Sequence, residues 1–452
     1  MGLLATIVIF GLCAWRSQSG QAADAPAAAA VTLPQISEKT FNVQDFGAVG
    51  GGIANDTPAI EKAIDACTKA GGGTVILPPG RYLTGPFKLA SNLNLHLERN
   101  ARLMLVDDMK RYPLYDVPEG TNRAKAEKGY VNWITAAGCH DIAITGEGTI
   151  DGQGPAWWKV YSKHRIPGRP EATDIFPHRP HMIVLSDCTR VLIEGVSLFN
   201  SPNFHLVPER CRDVTIRNIE ISAQEDAPNT DGIDPSGWNF LITRCWIDVG
   251  DDNIAVKPVT DPAGEEVSCE NFLISDCVFT HGHGMSIGGQ TPGGLRNLIV
   301  RNCTFDGTEA GIRFKAGRGN GGIVENVTCE DLKMKNVKVA IFVSSFYPTN
   351  VKDPTTMPTT QSAEKIPVWR NCTFSNITAE GGETAGHLFG LPEAYVENFT
   401  FKNVTISASK PFDIAYAKGI KFVDSSVKLK SNAPAVIFKQ AEISGIDASA
   451  WK

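Results

Sequence analysis

The chain has 452 residues, 42% hydrophobic and 20% charged, which excludes a disordered polymer and leaves room for one large elongated domain or two ordinary ones. Its 43 Lys and Arg stand against 49 Asp and Glu, a net charge of −6 that gives no general attraction to nucleic acid or to an acidic membrane surface. An acidic polymer would have to be met by a local basic patch, and the 43 glycines suit many short strands joined by turns.

Residues 3–15 form an apolar run, followed by an Ala-rich stretch from 21 to 30. The pattern reads as a secretory signal over 1–25, although no Lys or Arg precedes it, and hence as a secreted or periplasmic protein. The run is too short for a comfortable membrane span, so no stable membrane association is expected; an uncleaved anchor is the alternative. Export would permit disulfides among the eleven cysteines. Cys245, Cys277 and Cys303, however, recur at one place in a repeat, where a buried stack of small side chains explains them as well as bridges do.

A cap precedes the repeat. Thr57 followed by Pro58 reads as a helix N-cap and first helical position. Ala59, Ile60, Ala63, Ile64 and Cys67 make one apolar face, and Gly71, Gly72 and Gly73 end the helix. Such a helix would cover strand edges that are otherwise unpaired. The segments 112–130 and 344–368 interrupt the later pattern and read as long loops flanking a groove. In the first, Lys125 and Lys128 are solvated charges by default. The pair Trp157 and Trp158 is better suited to packing than to stacking on a ligand.

The middle of the chain repeats itself. Copies begin at Val191, Val214, Phe240, Phe272, Leu298, Val327, Cys372 and Phe399, at spacings of 23, 26, 32, 26, 29, 45 and 27 residues, with a further copy at Ile142. Each alternates apolar and polar residues with period two and then turns at Gly or Asn. No helix-length segment separates the copies, and the leucine-rich spacing is absent. The expected fold is all-β: a right-handed parallel β-helix over about 40–430, one rung per repeat, with a short N-terminal capping helix.

The second strand of successive rungs carries unusual residues. Aligning Asp231-Gly-Ile with Asp252-Asn-Ile and His283-Gly-Met places Asp231, Asp252 and His283 at matching positions, about 4.8 Å apart in a parallel stack. Asp251 serves the same groove only if Gly250 marks a turn or bulge. Carboxylates this crowded keep a proton among them, and one acid beside one base is what glycoside hydrolysis needs. Arg313, Lys315 and Lys257 would meet a ligand carboxylate. Asn229 and Asn253 either hold the aspartates or simply form turns. His281 reads as a surface histidine. Any one of these aspartates alone would be read as a turn residue; three stacked beside His283 point to catalysis.

In these motifs the chain resembles the polygalacturonases of glycoside hydrolase family 28, whose ordered signature appears as Asn229-Thr-Asp231, Asp251-Asp252, Gly282-His-Gly284 and Arg313-Phe-Lys315, with Phe314 in place of Ile. The resemblance implies inverting hydrolysis of α-1,4-galacturonosyl linkages in a pectic polysaccharide, with no metal or organic cofactor; the expected state is a monomer. It implies Asp251 as general acid, Asp231 and Asp252 on the attacking water, and His283 tuning the acid. It further implies Arg313 and Lys315 on the substrate carboxylate, and Tyr347 as the tyrosine that touches substrate. Rhamnogalacturonan or xylogalacturonan hydrolysis on the same fold is the nearest alternative, with a β-helix pectate lyase or a non-catalytic carbohydrate-binding β-helix behind it. Closure of one end of the groove by the two loops would favour exo attack.

Overall fold

The computed structural model describes residues 31–110, 112–116, 128–164, 178–349, 351–358 and 365–445. The expected signal segment and Lys125 lie outside them.

Alternating apolar and polar residues, punctuated by Asn and Asp, wind the chain into a parallel β-helix. One rung comprises the strands Gly237–Thr243, Trp246–Asp248 and Ile254–Val256; the next comprises Cys269–Ser275, Val278–Thr280 and Met285–Gly288. Pairing is parallel and in register, so that Phe240 lies on Phe272, Phe272 on Leu298 and Leu298 on Val327. These inner residues are buried, and Phe240 stacks on Phe272 with ring centroids 4.5 Å apart. The tight corner after each first strand needs a left-handed residue. Asp276 (φ 56°), Asn302 (φ 51°) and Asp331 (φ 57°) supply it, since short polar side chains tolerate that region. The corner side chains also bond rung to rung, as Asn302 Nδ2 does to Asp276 Oδ1 at 2.6 Å.

The cysteines resolve as a stack. All ten described cysteines are free. Cys245, Cys277 and Cys303 lie buried inside successive corners, each thiol donating to the carbonyl two residues earlier.

The capping helix α1 is Thr57–Lys69 and buries the expected apolar face. Its N-terminus differs by a residue or two from the sequence expectation. Thr57 already lies in the helix, and the Asn55 side chain accepts from the Thr57 N–H at 3.1 Å. The Thr57 hydroxyl is used elsewhere, accepting from the Gly85 N–H at 2.8 Å. A second helix, α2 (Gly154–His164), is an insertion between rungs that the repeat pattern does not reveal. It buries Trp157 against Tyr112 and Tyr130, edge to face at 5.3 and 4.9 Å. The segment 112–130 contributes a short antiparallel pair, Leu114–Asp116 with Lys128–Tyr130, in which Lys128 is paired with Asp116. In 344–368, Val351, Met357 and Ile366 pack on a satellite core of Phe346, Phe389 and Leu391.

One wall of the β-helix positions the site. It runs from Phe87–Lys88 through Ile134–Ala137, Ile183–Ser186 and Leu206–Glu209. Bridges from Leu206 to Ile233 and from Ile233 to Ile254 carry it on to Met285–Gly288, Ala310–Lys315 and Val339–Ser344. The final strand, Val436–Ser444, pairs in parallel with residues of Val396–Val423.

Candidate active site

Register brings the acids together. Ile233 pairs with Ile254 and Ile254 with Met285, so Asp231, Asp252 and His283, each two residues earlier, fall in one row across three rungs. The chain bends between Val249 and Asn253, which turns Asp251 to the same side as Asp252. Gly250 is required at this bend, because a Cβ there would lie 2.3 Å from the Ala227 carbonyl oxygen. His283 is held between Gly282 (φ 71°) and Gly284 (φ 82°), both in the left-handed region that favours glycine. Ligand atoms of Asp251, Asp252 and His283 all lie within 4.8 Å of one another.

The three aspartates have different surroundings. Asp251 is the accessible one, with 21% of its side chain exposed against 3% for Asp231 and Asp252. It bonds His283 Nδ1 at 2.9 Å through Oδ1, and Asn229 Nδ2 approaches its other oxygen at 3.4 Å. Burial opposes ionisation of Asp251, but the His283 hydrogen bond and charge outweigh it and lower its pKa. Burial likewise opposes the charged form of His283, and Asp251 more than offsets this, raising the imidazole. The pair therefore holds one proton across a 2.9 Å hydrogen bond.

Asp252 is gripped by Lys315 Nζ at 2.7 Å, the Ser286 hydroxyl at 2.8 Å and Arg313 at 3.4 Å. Burial alone would raise its pKa, yet Lys315 and Arg313 hold it well below the usual carboxylate range. Asp231 behaves oppositely. Burial first, then the neighbouring Asp234, push it well above that range against the pull of Lys257. Lys257 Nζ lies 3.0 Å from Asp231 and 2.6 Å from Asp234. Two buried acids thus share one ammonium, and burial lifts Asp234 to about 6. The crowding that keeps a proton in the cluster acts chiefly between Asp231 and Asp234, rather than between Asp231 and the Asp251–Asp252 pair.

Each residue singled out in the sequence can now be placed. Asp231, Asp251, Asp252, His283, Arg313 and Lys315 converge. Tyr347 flanks them, partly exposed, with its ring 5.4 Å from Lys315 Nζ. Lys257 is in the cluster, where Asp231, Asp234 and the Phe204 ring at 4.3 Å engage it. Asn229 reaches Asp251, whereas Asn253 braces the backbone, donating to the Ile247 carbonyl at 2.9 Å and accepting from the Gly284 N–H at 2.8 Å. His281 is paired with Asp248 away from the cluster, at 2.8 Å. Phe314 faces the interior, fully buried. A metal would find Asp251, Asp252 and His283 close together, but both oxygens of Asp252 are already bonded and an ammonium sits on one of them.

Residues 83–426 match the family model for glycosyl hydrolases family 28. The chain belongs to glycosyl hydrolase family 28. A probable polygalacturonase of Vitis vinifera is 31% identical over 376 residues, 80% of this chain and 73% of the relative. An endo-polygalacturonase of Pectobacterium parmentieri is 29% identical over 83% of this chain and 87% of its own length. The crystal structure of a hyperthermoactive exopolygalacturonase from Thermotoga maritima aligns with a TM-score of 0.71 at 28% identity, covering 92% of this chain and 94% of that one.

The site also contains residues that the sequence did not single out. Asp234 lies three positions after Asp231, just beyond that motif. Glu309, on the rung after His283, lies 3.3 Å from His283 Nε2. Ser286, like Arg179 described below, has no motif of its own and is recognisable only once the rungs are stacked.

Proposed function

We propose that this glycoside hydrolase cleaves α-1,4-galacturonosyl linkages of pectic galacturonan by single-displacement inversion, attacking chains from an end. The observation that carries this reading is an exposed carboxyl sharing a proton with a histidine, beside an ionised carboxylate held by two groove cations. Because Asp251 alone of the three aspartates is appreciably exposed, it delivers the proton to the leaving glycosidic oxygen as the C–O bond breaks. Asp231 and Asp252 hold the attacking water, and Asp252 takes its proton, being the one kept ionised.

The choice of an acidic sugar follows from the same geometry. Arg313 and Lys315 grip Asp252; a galacturonate carboxylate arriving at these cations draws their charge away and raises the basicity of Asp252. A neutral sugar leaves Asp252 locked as a weak base. Exo attack is supported by α2, an insertion anchored by the buried Trp157 and brought beside the site where its Tyr161 covers Arg179, which bonds Asn229. A polysaccharide substrate does not cross a membrane, so the apolar N-terminal run fits export to the periplasm or beyond.

The test is product analysis on polygalacturonate, with rhamnogalacturonan and xylogalacturonan in parallel. Expected are reducing ends from polygalacturonate, galacturonate monomer from the first time point and a β-anomeric product by NMR. A mixed oligomer ladder overturns exo attack. Preference for either branched polymer overturns the substrate, and chelator-sensitive unsaturated products overturn hydrolysis altogether.

A further inference from the structure

We infer that Arg179 is a positioning residue for the acid Asp251, acting through Asn229. The inference rests on the reaction proposed above. Arg179 precedes the groove strand Ile183–Ser186 and is 5% exposed. Its guanidinium donates to the carbonyls of Pro202 and Pro228 at 2.6 and 2.8 Å and to Asn229 Oδ1 at 2.8 Å. Tyr161 of α2 covers one face, its ring centroid 4.0 Å from Cζ. Burying a guanidinium among neutral acceptors is expensive, and burial accordingly pulls its pKa down to about 10. A scaffold gains little from that cost unless the charge and its donors act on something.

What they act on is the orientation of one amide. Arg has donors only, so Asn229 must turn its oxygen to Arg179 and its NH2 away. That NH2 points at Asp251 Oδ2, 3.4 Å off, while Asp251 Oδ1 is already taken by His283 at 2.9 Å and the Asp252 N–H at 2.9 Å. Asn229 is itself held in the left-handed region (φ 52°), so its side chain leaves the backbone in a direction fixed by the turn. Without the Arg179 fork the amide is free to flip and offer Asp251 an oxygen. An acceptor facing a carboxylate favours the protonated form. Arg179 therefore keeps the affinity of Asp251 for its proton low enough for transfer and fixes its rotamer.

Arg179→Lys keeps the charge and loses the fork. The measurement is the pH profile of kcat/KM on polygalacturonate, with thermal melting to confirm folding. The alkaline limb, which reports loss of the proton from the acid, is expected to move up by about half a pH unit or more, with kcat falling about tenfold. Asn229→Ala is expected to move the same limb, and Arg179→Lys added to it should move it no further, as for two groups acting in series. Should Arg179→Lys not fold, Tyr161→Ala loosens the guanidinium from the outside, and a smaller shift in the same direction is expected. An unmoved limb in folded Arg179→Lys or Tyr161→Ala, or shifts that add in the double variant, overturns the inference while the reaction assignment stands. A wild-type enzyme without hydrolytic activity overturns that assignment and the inference together.

Discussion

Two rows of charge run across the rungs of this β-helix, built by the same register and put to opposite uses. On an outer wall, Glu270, Arg296, Glu325, Arg370 and Glu397 follow one another, one per rung. Their signs alternate, and neighbours pair at 2.6 Å (Arg296 to Glu270) and 2.7 Å (Arg370 to Glu325). On the groove wall, Asp231, Asp252 and the adjacent Asp251 set like charges side by side, compensated by Lys257 and Lys315 reaching in from the same wall. Stacked rungs place whatever the sequence repeats within contact distance. The outer wall cancels each charge locally and in reach of water; the groove concentrates one sign away from water and so obtains carboxyls of unlike acidity.

The largest expected difference between the rows is in turnover. Asp251→Asn removes the proton donor and keeps the shape, and kcat should fall by about 10²–10⁴ while oligogalacturonate still binds by calorimetry. Glu325→Gln, the same change on the outer row, should leave kcat untouched. If Asp251→Asn retained a tenth of wild-type turnover, the general acid would have to be sought elsewhere in the groove.

The next difference is in stability and its response to salt. Lys315→Met removes the principal partner of a buried carboxylate and should cost about 3–5 kcal/mol in urea unfolding. Arg296→Met breaks a pair whose arginine is 55% exposed and should cost about 1 kcal/mol or less. In about 1 M salt the Debye length shrinks to ~3 Å, so the Arg296 cost should vanish and most of the Lys315 cost should persist. Equal screening of both would mean that the groove pair is as wet as the outer one, contradicting the burial on which the acidities depend.

The same contrast explains what the sequence disclosed and what it withheld. Periodicity and the Asn or Asp corners exposed the rungs, and aligning three short motifs put Asp231, Asp252 and His283 in their true row, because register in a parallel stack is a one-dimensional property. Burial is not. Lys257 looks like a free cation in the chain and is a shared counter-ion in the fold. Asp234 stands in no motif of the chain and is a buried acid in the fold. Arg179 and α2 belong to insertions that break the period, so no pattern announces them, and Arg179 acquires meaning only from Pro202, Pro228 and Asn229, 23 to 50 residues away.

The smallest effect is a difference of sign between the two rows as pH changes. Burial raises Asp234 from 3.8 to about 6, so the folded protein holds a proton there that the unfolded chain releases. The associated stability is complete below pH 3.8 and is lost as pH rises through about 6. Glu270 is the reverse: burial opposes its charge, but Ser268 and Arg296 lower its pKa, so its stabilisation is present above its ordinary value of 4.5 and is lost as the pH falls. Between pH 4 and 7, Asp234→Asn should therefore gain stability relative to the wild type as pH rises. Glu270→Gln should lose stability relative to it over the lower part of that range. Parallel unfolding curves for Asp234→Asn and the wild type would show that Lys257 keeps Asp234 ionised throughout, and that the retained proton sits on Asp231 alone.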